Sequence, residues 1–199
     1  MLERVCIFID GSNFYHATRK AFGRTQIRFD ALAAKLTDRV PGRKLVRVYY
    51  YNAVAEQDAG SDQYKKQQRF LDYLRRTPYL QLKLGRLERR PIDWGVLSAD
   101  QRRKAESDLG KPLPEFTYVE KGVDVQMSVD MLQLAVTNTY DVAIIISGDG
   151  DFAPAVEAVK QLGKHVELGR VSGWPCNRLL DACDMEIIID EALLDGCWT

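Results

Sequence analysis

No run of apolar residues in this 199-residue chain approaches the ~20 needed to span a bilayer, so no membrane association is expected. Histidine occurs only at His16 and His165, too few and too scattered for a zinc cluster. The four cysteines, Cys6, Cys176, Cys183 and Cys197, have no CxxC spacing, and Cys6 lies in an apolar run. The opening MLERVCIFID lacks a basic segment followed by a long apolar stretch and a cleavage site, so no secretory signal is expected. A reduced, cytoplasmic protein is the default expectation. Neither GxxxxGK[ST] nor GxGxxG occurs, which argues against nucleotide binding of those kinds. A DxSxS metal site would need serine where Phe14 stands, and a DxD pair would need an acid at Ser12. DGDFA lacks the third acid and the glycine of an EF-hand loop. No Ser-His-Asp or Cys-His nucleophile set is supported.

Net charge is absent too, since 28 Lys and Arg balance 28 Asp and Glu. The balance is uneven along the chain. Between Lys65 and Lys104 twelve basic residues stand against four acids, while from Asp181 onward there are six acids and no Lys or Arg. The zero total hides a basic face able to meet phosphate, although charged helix faces are as often merely solvated.

What is present suits a soluble globular protein: 46% hydrophobic and 28% charged residues, enough for one sizeable core and a single domain over 1–199. Apolar β-branched and aromatic runs predict strands at 4–9, 45–51, 79–84, 142–146, 165–168 and 186–189. Helical patterns fall at 13–22, 30–39, 62–76, 123–137, 152–162 and 177–183. The alternation predicts an α/β fold with a mostly parallel sheet covered on both faces. VAIII reads as a central strand, and Gly163 as the close of a helix. Residues 85–117, with Pro91, Pro112 and Pro114, break the alternation. They read as a long basic insertion in which SADQRRKAESDL suits a short helix capped by Ser98.

Acids fall where strands end. In FIDGSNFY, Asp10 follows an apolar strand directly; in IIISGDGDFAPAVEAVKQLG, Asp149 and Asp151 flank Gly150 just after another. Ligands of open α/β sheets bind outside the carboxyl ends of strands, where strand order reverses. Three carboxylates directed there repel one another, so a bound cation is the natural stabiliser, and hard oxygen ligands select Mg²⁺ or Mn²⁺ over zinc. One of Asp149 and Asp151 is expected to cap the following helix. In KGVDVQMSVDMLQLA, Asp124 shares the apolar stripe of Met127, Ser128, Met131 and Ala135, where an acid is not buried without a partner. Exposure at the helix end is the alternative. Asp130 lies about 120° round the helix, a weaker ligand candidate that suits a supporting group or a salt-bridge partner. Ser12 or Asn13 stands closer to the first helix and is expected to cap it, leaving Asp10 as a metal ligand.

Together, FIDGSNFY, KGVDVQMSVDML and SGDGDFAPAVEAVKQLGKHVEL, in that order over roughly residues 4–190, resemble the NYN domains, in particular the LabA-like branch, of the PIN-like nuclease superfamily. The resemblance implies a three-layer α/β/α sandwich, PIN-like and Rossmannoid, with a central mostly parallel sheet. Residues 85–117 are its least matched part, and the strands ending at Asp10 and Ser147 lie side by side. Some relatives carry cysteines in this insertion that could bind zinc; this chain has none there. The resemblance further implies a ribonuclease using Mg²⁺ or Mn²⁺ held by Asp10, Asp124, Asp149 and Asp151. Asn13 joins these acids in the catalytic set, and Ser147, Asp130 and Ser12 support them. The expected reaction is endonucleolytic hydrolysis of single-stranded RNA, leaving 5′-phosphate and 3′-hydroxyl ends. Lys65, Lys66 and Arg69 of the basic helix, with Arg86, Arg89 and Arg90 of the insertion, would hold the phosphate backbone. RNA is the expected partner, and a homodimer is left open. The alternative is a non-catalytic regulatory module binding RNA or protein through the same fold. Retention of every acid favours the enzyme. A phosphatase or DNA nuclease using the same metals is the third reading.

Overall fold

The first strand, β1 (Glu3–Asp10), is buried from Val5 through Asp10, so its two faces must both be covered. Val5, Ile7 and Ile9 belong to one apolar cluster and Cys6 and Phe8 to the other, on opposite sides of the sheet. The computed structural model describes residues 2–54 and 61–199. After β1 come α1 (Gly11–Phe22), α2 (Phe29–Asp38), β2 (Arg43–Val54), α3 (Ser61–Arg76), β3 (Leu80–Pro91), α4 (Ala99–Leu109) and β4 (Phe116–Lys121). Then follow α5 (Val123–Val136), β5 (Val142–Ile146), α6 (Ala153–Gln161), β6 (His165–Val171), α7 (Asn177–Ala182), β7 (Met185–Ile189) and α8 (Glu191–Leu194).

The seven strands form one sheet in the order β4-β3-β2-β1-β5-β6-β7. All neighbours are parallel except β3 and β4. Helices α1, α2, α3 and α8 pack on one face, around Phe14, Phe29, Leu32, Leu71, Leu74 and Leu194. Helices α5, α6 and α7 cover the other through Met127, Met131, Val156, Val159 and Leu179. This is the expected α/β/α arrangement. From β1 the chain winds outward through β2 and β3, then returns to lay β5 on the opposite side of β1. Strand order therefore reverses between β1 and β5, which is where ligand crevices open. The expected strands and helices are present, and Gly163 closes the turn after α6 with φ of 75°. Among the described residues, no helix is long and apolar enough to cross a membrane.

Residues 85–117, whose conformation the sequence leaves open beyond a short helix, join the sheet. Strand β3 runs on to Pro91, and β4 returns antiparallel to it, pairing Arg86 with Lys121 and Pro91 with Phe116. Between them α4 carries the anticipated cap: Ser98 and Gln101 exchange side-chain bonds with each other's backbone N–H groups. The strand continuation was obscured by its charges. Arg86, Glu88, Arg89 and Arg90 are exposed, so the apolar run that marks a buried strand stops at Leu84.

At the opposite end of the sheet Arg4 grips Asp141 with Nε and Nη2 at 3.0 and 2.7 Å, and its backbone N–H adds a third bond at 2.8 Å. These hydrogen bonds hold the Asp141 carboxyl at about 2, below its ordinary 3.8. A depressed carboxylate contributes stability above its unfolded pKa and loses it as the pH falls through the folded value. Urea unfolding should therefore show a loss of stability from pH 3.8 down to about 2 that is smaller in Asp141→Asn. Equal pH dependence in the two proteins would disprove the linkage.

Candidate functional site

Alternation along β1 and β5 sets the site. Ile144 and Ile146 face the α1 side of the sheet, and Ala143 and Ile145 the α5 side. Asp10 and Ser147 continue the second register, so both project toward α5 at the point where strand order reverses. Ser147 donates its hydroxyl hydrogen to Asp10 Oδ2 at 2.8 Å and accepts from the Asp149 N–H at 3.0 Å. Asn13 Oδ1 accepts from the Gly148 N–H at 2.8 Å, tying the start of α1 to the turn after β5. That turn is tight. A Cβ on Gly148 would fall 2.4 Å from the Trp174 ring, and one on Gly11 would fall 2.6 Å from the Tyr51 carbonyl oxygen.

Capping differs from expectation. Helix α1 begins at Gly11, and Asp10 itself caps it, accepting from the Asn13 N–H through Oδ1 at 3.0 Å. Because Gly11 has no side chain, the chain can turn into the helix directly against Tyr50 and Tyr51. That start leaves the residue before it, and not Ser12 or Asn13, in the capping position. One carboxylate thus does two things: its Oδ1 ends the helix and its Oδ2 meets Ser147. Ser12 is half-buried and makes no side-chain hydrogen bond among the described residues. Asp149 takes the expected cap at the second turn, accepting from the Asp151 N–H at 2.9 Å.

The four candidate acids lie in one another's field. Asp10 is buried, at 6% exposure, and its pKa is raised. Burial is the largest cause, the bonds from Asn13 and Ser147 oppose it, and the charges of Asp124 and Asp149 add to it. Asp124 is also raised, first by desolvation and then by Asp149 and Asp151. It is nonetheless exposed, not buried on the stripe of Met127 and Met131. It occupies the first turn of α5, in which Val123 is buried. Asp124 makes no hydrogen bond or ion pair among the described residues. Asp130 is drawn elsewhere, accepting from the Tyr51 hydroxyl at 3.0 Å and pairing with Lys83 at 3.1 Å. That is the salt-bridge alternative, and it fastens α5 to β2 and β3.

Two basic positions on this edge carried no signal in the sequence. Arg178 of α7 approaches Asp151 Oδ1 to 3.7 Å and lies across Gly150, whose absent Cβ would sit 3.1 Å from it. Among the described residues it is the one cation in ion-pair range of the four acids. Lys121 faces Arg86 across the β3–β4 pair. Neither follows an apolar run ending in an acid, but both sit beside the carboxyl ends of strands, where such residues can be sought. Of the other expected basic residues, Lys65, Lys66 and Arg69 are exposed on α3. Arg89 lies over the Phe116 ring at 3.6 Å, and Arg90 pairs with Glu88 at 3.3 Å.

The donors are hard oxygens, and among the described residues no cation but Arg178 pairs with them, so their chemistry fits a divalent cation. As placed, no three His, Cys, Asp or Glu side chains among the described residues converge on one ion position. Such spacing suits an ion held by one or two carboxylates with waters, the usual state of Mg²⁺ at phosphate sites.

Comparisons with known proteins agree with this architecture. The search of curated proteins found no match. Among solved structures, a protein of unknown function from Vibrio parahaemolyticus superposes with a TM-score of 0.65 at 24% identity. The match covers 96% of this chain and 94% of that one, a likeness of fold alone. The family model for the NYN domain matches residues 4–191. With its sheet, its crevice and nearly its whole length accounted for, the chain belongs to the NYN domain family, within the PIN-like nuclease superfamily.

Proposed function

We propose that this protein is a divalent-metal-dependent ribonuclease of the LabA-like kind, cutting single-stranded RNA endonucleolytically. The observation that carries the reading is the cluster at the crevice. Burial raises the proton affinity of Asp10 and Asp124, the charges of Asp124 and Asp149 add to it at Asp10 and those of Asp149 and Asp151 at Asp124, while among the described residues a single loosely held arginine answers them. Carboxylates that repel one another reduce stability, and such clusters mark candidate functional sites. Asp10, Asp124, Asp149 and Asp151 would hold Mg²⁺ or Mn²⁺, one or two of them directly and the others through water. A bound ion would polarise the scissile phosphate and lower the pKa of an attacking water. The chain's own residues prepare that site. Ser147 fixes Asp10 and the Asp149 backbone together, and Asn13 clamps the turn that carries Asp149.

A second reading, a regulatory module that binds RNA or protein without cutting, draws on the wide spacing of the acids. Incubation of labelled single-stranded RNA with purified protein and Mn²⁺ separates the two. The ribonuclease reading expects internal cleavage that stops with EDTA and in Asp149→Asn. Tight RNA binding without cleavage, unchanged by Asp149→Asn, would establish the second reading. Activity that survives both EDTA and the substitution would sink the first.

A further inference from the structure

A carboxylate cluster repels the polyanion it is meant to receive, so an RNA strand can approach only if cations beside the acids take its phosphates. The described carboxyl edge of the sheet has two such places, one on each side. On the β3–β4 side a groove is lined by Leu84, Gly85, Arg86, Lys121, Gly122 and Gln126. Arg86 and Lys121 are directly opposed in the antiparallel register, both are exposed, and neither makes a side-chain hydrogen bond or ion pair among the described residues. Like charges directly opposite across an antiparallel pair are destabilising. An acid at either position would relieve the repulsion, and so would an anion lying in the groove. Gly85 keeps the groove closed at its base. A Cβ there would come 2.8 Å from the Lys121 carbonyl oxygen and 2.4 Å from Val123 Cγ2, so only glycine lets β3 meet the start of α5.

On the other side stands Arg178, exposed and held, among the described residues, only by a 3.7 Å approach to Asp151. Trp174, whose ring abuts Gly148, lies at the same β6–α7 connection, with Lys20 Nζ 5.6 Å from its ring centre. The acids lie between the two places. Strand order puts β2 and β1 between β3 and β5, so at ~4.8 Å per strand the β3 groove lies ~14 Å from the end of β5. The direction from one cationic place to the other runs across the strands.

We propose that a single RNA strand lies across the carboxyl edge of the sheet, perpendicular to the strands. One of its phosphates rests against Arg86 and Lys121, another against Arg178, and the bond to be cut lies over the acids between them. This path rests on the ribonuclease reading and adds the direction and the two ends of the substrate.

Binding of labelled oligouridine to Asp149→Asn protein with Mn²⁺, over a range of KCl concentrations, tests it. Each phosphate contact on a single strand contributes about 0.7 to the slope of log affinity against log salt. Arg86→Glu/Lys121→Glu should lower that slope by about 0.7 and weaken a long oligomer about tenfold or more, while barely changing a dinucleotide. Arg178→Glu should lower it by about 0.7. Lys44→Glu, exposed at the opposite edge of the sheet, should match the parent. If charge reversal unfolds the protein, Arg86→Gln/Lys121→Gln and Arg178→Gln carry the same expectation with smaller losses. Unchanged affinity and slope in the variants, or a loss confined to one end, overturns the path, even though wild-type cleavage would leave the ribonuclease reading intact. A wild-type protein that neither binds nor cuts RNA overturns that reading itself.

Discussion

Asp124→Asn should yield a protein at least as stable as its parent whose metal-dependent RNA cleavage has fallen about 100-fold or more, the loss expected when one charge-stabilising group leaves a site. Stability and activity move apart because of what surrounds this residue. Asp124 makes no hydrogen bond or ion pair among the described residues, so asparagine breaks none. In the first turn of α5 the negative charge gains about 0.3–1 kcal/mol from the helix dipole, but Asp149 and Asp151 oppose it. The raised pKa shows that desolvation and repulsion together win. Removing the charge at an exposed position should therefore stabilise by a few tenths of a kcal/mol, less at high salt.

The sign has a pH signature. A carboxylate raised in the folded state reduces stability above its folded pKa and has no effect below its unfolded one. The advantage of Asp124→Asn should thus be full near neutrality and vanish below the ordinary 3.8. Thermal melts across that range with and without Mn²⁺ measure both effects, and Mn²⁺ should raise the melting temperature of the parent more than that of the variant. A variant that melts lower than its parent at neutral pH, or cuts RNA at the parental rate, would remove Asp124 from the site.

The largest expected loss of stability lies at the other end of the sheet. Arg43 at the start of β2 reaches Glu167 of β6 with two parallel bonds, Nη2 to Oε1 at 2.6 Å and Nη1 to Oε2 at 3.1 Å. The two side chains are only 8% and 5% exposed. Glu3 gives Arg43 a second, more exposed partner at 3.1 Å. Glu167→Ala leaves the guanidinium buried with that one partner and should lower stability by about 3–5 kcal/mol in urea unfolding. Replacing both, as Arg43→Met/Glu167→Leu, should recover most of it, because a buried pair contributes little over well-packed apolar groups. A loss under about 1 kcal/mol from Glu167→Ala would mean that water reaches the pair.

These sites differ in how far the sequence discloses them. Strands β1 and β5 were legible because both faces are buried, leaving continuous apolar runs that end at Asp10 and Ser147. The acids were legible for the same reason: a charge at the end of such a run stands out. The cap of α1 was not, because several residues near a helix start can cap it. Which one does depends on where the helix begins, and Gly11 packing against Tyr51 sets that. Strand β4 escaped notice as a short, partly charged edge strand, its direction decided by pairing with β3. Arg178 and Lys121 were hidden in another way. An isolated surface cation has no local pattern, and its significance depends on which distant residues the fold brings beside it.

The bond from Ser147 to Asp10 joins residues 137 positions apart. On a ribosome, β1, β2, β3 and β4 are all made before β5 exists to close the crevice. The nascent chain therefore carries Asp10 through the synthesis of β1 to β4 without the partner that orients it. For the proposed ribonuclease, that order of assembly would be a safeguard for its own message. The proposed cutting centre is completed only after β1 to β4 have been translated.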